Sequence, residues 1–182
     1  MHHLSLRLFF IAGIFFIPLF VTAKKIDVQL GTIKLMSDKI EIKIPTHFSA
    51  LLDHELKTNF TLERMPKVAY GDSLRESTLA FYMKKSEMTD ATVTGLKAAY
   101  LSEFLNQDLK LKELSNGVDM IDGRDVGFLG IMHRSPKKMY RFFFFTIYKG
   151  MILSGEFITP KKGYKVWLQP CVEIMRSMKI LG

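Results

Sequence analysis

Of 182 residues only Cys171 is a cysteine, so no disulfide can form within the chain and its stability must come from an apolar core. Five histidines are present, two of them in the first three residues and the others at His47, His54 and His133. No GxSxG, GxGxxG or phosphate-binding P-loop pattern occurs, which removes the best-defined signatures of serine hydrolases and nucleotide binders. HELKT at 54–58 begins like a zinc-protease motif but lacks the second histidine four residues on. Asp119, Asp122 and Asp125 fall three apart without the ligand density or closing glutamate of a calcium loop, and read as a turn. Acidic residues also thin out toward the C-terminus. Residues 133–182 hold ten Lys/Arg against only Glu156 and Glu173, whereas residues 24–132 are balanced, with 15 against 16. Such asymmetry points to an anionic partner.

The chain opens with MHHLSLR, a weakly basic start, followed by the 13-residue apolar stretch LFFIAGIFFIPLF and Val21-Thr22-Ala23. A bilayer span needs about 20 apolar residues. This shorter stretch has the length and flanks of a signal-peptide core, with small residues before the cleavage point. The pattern predicts a signal peptide over 1–23, cleaved after Ala23, and a periplasmic or secreted protein with no transmembrane span. No cysteine lies near that point, so no lipid anchor is indicated. No repeat, low-complexity linker or Pro/Gly-rich break divides the remainder, so 24–182 reads as a single domain.

Within it, TIKLMSDKIEIKI (32–44) alternates around Ser37-Asp38 as two strands and a tight turn. Thr46 is placed to cap a short helix carrying Phe48, Leu51, Leu52 and Leu56. Short strands at 67–71 and 77–84 flank GDSLRE, and Thr89-Asp90 precedes a helix over about 91–107, with Val93, Leu96, Tyr100 and Phe104 on one face. Asn116-Gly117 and Asp122-Gly123 are hairpin-turn signals, so 109–121 reads as two short strands and 126–158 as a three-stranded meander. The chain closes in a helix over about 166–180, with Trp167, Cys171, Ile174, Met175 and Met178 on its apolar side. Cys171 there reads as a small buried hydrophobe. Pro170 is tolerable only in the first turn, so this helix should start no earlier than Val166.

The stretch RFFFFTIYKGMILSGEFI (141–158) decides the architecture. Lys149-Gly150 separates two apolar runs as a two-residue hairpin loop, so Tyr148 pairs with Met151 and Phe144 with Gly155. Phe142, Phe144 and Phe157 then share one face, while Phe143, Phe145 and Glu156 share the other. A sheet wet on one side would alternate apolar with polar. Both faces here are apolar, which predicts an α+β fold: an α-β-α sandwich with a central antiparallel sheet and the two long helices covering its faces. Gly155 leaves room for the Phe144 ring.

The same register brings HRSPKKMYR (133–141) beside ITPKKGYK (158–165). Arg134, Lys137, Lys138, Arg141, Lys161, Lys162 and Lys165 are therefore expected at one end of the sheet, as a basic edge with Glu156 the only nearby acid.

IKLMSDKIEIKIPTHFSALL, IDGRDVGFLGI, the two long final strands and VWLQPCVEIMRSMKI together resemble the PsbP-like fold over roughly Thr32–Ile180. That group spans PsbP, the eukaryotic Ran-binding Mog protein and bacterial envelope proteins of the DcrB type. The resemblance implies a central antiparallel sheet flanked by helices and a mostly non-enzymatic role, and it supplies no catalytic residues to carry over.

The expected function is a non-enzymatic, exported binding or accessory protein, with no cofactor, no metal and no nucleic acid. It would recognise a protein partner or an anionic envelope surface through the basic edge, possible forms being an immunity or inhibitor protein against a toxin. The alternative is a small metal-dependent hydrolase using His47, His54 and Asp53. These two readings separate on whether the three side chains converge in a cleft.

Overall fold

The computed structural model describes residues 28–86, 92–107, 111–133 and 138–181. The expected signal peptide, Arg134, Lys137 and the Thr89-Asp90 cap lie outside the described residues. Among the described residues ten strands and three α-helices follow in order: β1 (Leu30–Leu35), β2 (Ile40–Pro45), β3 (Ser49–Ala50), α1 (Asp53–Asn59), β4 (Val68–Gly71), β5 (Thr78–Lys85), α2 (Val93–Gln107), β6 (Leu111–Ile121), β7 (Arg124–His133), β8 (Met139–Tyr148), β9 (Met151–Pro160), α3 (Tyr164–Arg176) and β10 (Lys179–Ile180). Seven strands form one antiparallel sheet in the order β3-β4-β5-β9-β8-β7-β6, and β1, β2 and β10 form a second, small sheet.

The β8–β9 hairpin is the centre of the large sheet. Its register pairs Tyr148 with Met151, Phe144 with Gly155 and Phe142 with Phe157, as the loop signal predicts. Lys149 and Gly150 both have positive φ, 49° and 72°, the conformation of a primed two-residue turn. Alternation sends the four phenylalanines both ways. Phe142 and Phe144 join the main core beneath α3 and the small sheet, with Ile42, Phe157, Ile174 and Met175. Phe143 and Phe145 pack under α2 with Val93, Leu96 and Leu129. On that same face Leu56 of α1 and Phe60, just past its end, pack over Ala69 and Ala80. The molecule is thus the expected α-β-α sandwich, with one face covered by α3 and an added three-stranded sheet together.

Four expectations need correction. Asn116-Gly117 is no turn: β6 runs through it unbroken, pairs with β7, and absorbs an irregularity between Glu113 and Ser115. Gly117 serves a different need, because a Cβ there would sit 2.6 Å from Cζ of Phe128. The helix expected after Thr46 starts later, at Asp53. There the Glu55 carboxylate accepts the Leu52 backbone N–H at 2.7 Å and closes the first turn. The closing helix begins at Tyr164, with Pro170 inside it rather than in its first turn. It also stops at Arg176, and the chain then adds β10 to β2 by pairing Lys179 with Glu41 and Ile180 with Ile40.

Candidate functional site

Lys138 and Lys161 are brought together by the hairpin register. Met139 pairs with Pro160, and just beyond them the Lys161 N–H donates to the Lys138 carbonyl at 2.7 Å. Lys138 and Lys161, with Lys112 from β6, His133 and Tyr164, line an open cavity of about 400 Å³. Met132 and Leu114 form its apolar side, and no acidic side chain lines it among the described residues. Lys162 and Lys165 are exposed beside it, in the turn and first turn of α3. That first turn carries no acid, so the partial positive charge of the helix N-terminus adds to the lysines rather than being cancelled. The floor is firm. The Tyr164 ring lies 5.7 Å from that of Tyr140, which is buried and whose hydroxyl pKa is driven well up by burial and then by Cys171 and Tyr164.

Lys112 was not among the residues expected here. Reading 116–117 as a turn ended its strand early and hid that β6 runs alongside β7, with Lys112 opposite Met132.

Arg141 leaves the expected basic set. Its guanidinium is turned to the α2 face, where Nε donates to Glu156 Oε1 at 2.8 Å and a second N–H donates to the same oxygen. It also lies over the Phe104 ring at 5.7 Å and approaches His133 Nε2 at 3.5 Å. Tyr82 donates to the other Glu156 oxygen at 3.2 Å, and burial, followed by the Glu156 charge, pushes the Tyr82 hydroxyl far above its ordinary pKa. The cluster sits at the base of a cleft beside α2, with Tyr100 and Phe143 in its wall and the exposed pair Arg64–Glu103 at its rim. A carboxylate already holding an arginine and a phenol is a satisfied structural group.

The residues of the alternative reading do not assemble. His47 packs against Phe48 and Trp167, with ring centroids at 5.1 and 6.1 Å. His54 and Asp53 are exposed on α1. Among the described residues no three His, Cys, Asp or Glu side chains gather as a metal site. Cys171 is buried, and burial pushes its thiol pKa well up, away from the thiolate a nucleophile needs.

No protein-family model matches the chain, and no curated protein matches it in sequence. Solved structures do. The solution structure of cyanobacterial PsbP from Synechocystis sp. PCC 6803 is similar at a TM-score of 0.60 and 12% identity, covering 85% of this chain and 94% of that one. The Saccharomyces cerevisiae Ran-binding protein Mog1p is similar at 0.61 and 10% identity, covering 85% and 97%. LpqN of Mycobacterium tuberculosis, described as involved in cell envelope biogenesis, is similar at 0.55 and 10% identity, covering 85% and 91%. The chain therefore has the PsbP-like fold. At these identities the likeness defines architecture, while function has to be argued from the chain's own surfaces.

Proposed function

We propose that this chain is a non-enzymatic binding or accessory protein that docks an acidic protein surface on the basic end of its sheet. The observation that carries the reading is the meeting of Lys112, Lys138 and Lys161 around one cavity without a lining acid among the described residues. Lysines so placed steer an anionic partner and speed encounter more than they add raw affinity. The similar structures include a Ran-binding protein and a protein described as involved in cell envelope biogenesis, which supports a binding or accessory role on this fold. Among the described residues no helix is long and apolar enough to cross a membrane. We also propose that residues 1–23 are an export signal cleaved after Ala23 and that 24–182 form one domain in the periplasm or outside the cell. An immunity or inhibitor protein against a toxin is a concrete version of this role.

The test is co-purification from envelope extract with the mature protein as bait. Wild type should retain a partner that is released by salt, and the Lys112→Glu, Lys138→Glu, Lys161→Glu variant should not. An anionic envelope surface is the other ligand of the same chemistry. Salt-sensitive binding to phosphatidylglycerol vesicles that the triple variant loses, with no protein retained, would reassign the edge to lipid. Unchanged capture by the variant removes the basic-edge reading, and the mass of the exported form checks the cleavage point.

A further inference from the structure

At the opposite end of the β8–β9 hairpin residues of both sheets line one cavity. The turn at 36–39 and the Lys149-Gly150 turn flank a half-open cavity of about 570 Å³, within the ~300–1,000 Å³ typical of small-molecule sites. Its wall is aliphatic and soft: Met36, Ile40, Met83, Met151, Leu153 and Ile180. Ile40, Leu153 and Ile180 belong to the main core, so the cavity opens directly onto it. Unbranched methionines adapt to the shape of a flexible apolar guest. The charged residues lining it are Lys39, Lys67 and Lys149, with no acid among the described residues. Lys149 stands at the mouth with Nζ 4.9 Å from the Tyr148 ring centre.

One wall is also strained. Met36, Ser37 and Asp38 have φ of 54°, 56° and 63°, three successive non-glycine residues in the left-handed region. Such conformations persist only where the surroundings enforce them, and they cluster at ligand sites. Packed sheets lie about 10 Å apart, a gap that takes a single extended chain in place of side chains.

We propose that this cavity binds a single-chain aliphatic carboxylate, its alkyl chain between the sheets and its head group among Lys39, Lys67 and Lys149. Ten residues of strand at about 3.3 Å each separate it from the basic end. The inference rests on neither the docking edge nor export.

The experiment is calorimetric titration of the full mature chain with saturated carboxylates of roughly eight to sixteen carbons, kept below micelle formation, against alcohols and alkyltrimethylammonium ions of equal length. Carboxylate affinity should rise about threefold to fourfold per methylene until the cavity is full and then level off. Alcohols should bind about tenfold more weakly, and the ammonium series should not bind. Met83→Trp, which fills the cavity, should abolish binding of both carboxylate and alcohol. Lys39→Glu with Lys67→Glu should remove the preference for carboxylate while leaving alcohol binding in place, so the idea stays testable should the tryptophan variant fold poorly. Equal binding of ammonium and carboxylate chains overturns the proposal, as does affinity that climbs without a plateau. A concentration-dependent dimer in sedimentation, dispersed by the lysine substitutions, would assign the groove to a second copy and overturn it too.

Discussion

Arg141 of β8 and Glu156 of β9 form an ion pair on the α2 face of the large sheet, with side chains only 19% and 9% exposed. Removing one partner from such a pair strands the other charge, which costs about 3–5 kcal/mol, whereas replacing both by apolar groups is often neutral. Glu156→Ala should therefore lose about 3 kcal/mol in urea unfolding, and Arg141→Met with Glu156→Leu should recover most of it. If the double variant is as unstable as the sum of the singles, the pair is not coupled and the premise is wrong.

Phe144 lies across from Gly155, and any Cβ at 155 would overlap the Phe144 ring. Overpacking of a filled core costs about 1–3 kcal/mol. Gly155→Ala should fall in that range, and a second change, Phe144→Leu, should restore part of the loss. Additive losses in a double-mutant cycle would show that the ring does not need the gap.

Glu55 has its pKa lowered, first by the N–H it accepts from Leu52 and then by the Arg75 guanidinium, whose Nε lies 2.9 Å away. A folded value below the unfolded one makes the contribution present above the ordinary carboxylate range and lost as pH falls through the folded pKa. Melting temperature should thus decline on acidification, and less steeply in Arg75→Met. The direct readout is the Glu55 carboxyl resonance in a pH titration. A midpoint that stays put in Arg75→Met would mean the arginine contributes nothing.

Cys171 is 1% exposed in α3, and burial raises its thiol pKa. An aromatic disulfide reagent should label it only as fast as the molecule opens, and the rate should climb steeply with denaturant. Prompt labelling of the native protein would contradict the burial.

The centre of the fold was legible because the phenylalanine run and the Lys149-Gly150 turn are local signals of register. The burial of both faces follows from that register alone. Glycine was harder to read. Asn116-Gly117 has the composition of a hairpin turn, yet Gly117 is there to admit the Phe128 ring, a contact from the neighbouring strand that the dipeptide does not announce. β10 was hidden for a similar reason: Met178-Lys179-Ile180 continues the apolar period of α3, and only β2 alongside draws it into a strand.

The candidate site was half legible. Lys138 and Lys161 meet as the register demands, while Lys112 reaches the cavity only because β6 runs unbroken alongside β7. Arg141 was misplaced although the same register set it on the face of Glu156. Proximity in the hairpin does not set the direction of the side chain, and a desolvated carboxylate takes the nearest guanidinium. The lysine-rimmed cavity between the sheets could not be anticipated, because its walls come from six separate strands.

Four identical rings in a row carry a hazard of their own. Sliding β8 by one position would swap Phe142 and Phe144 for Phe143 and Phe145, and each side of the sheet would still receive phenylalanine. Greasiness therefore cannot tell the right alignment from its nearest error. What distinguishes them is negative space: the missing side chains at Gly127 and Gly155, each lying beneath a ring of β8. The aromatic centre of this protein is proofread by its smallest residues.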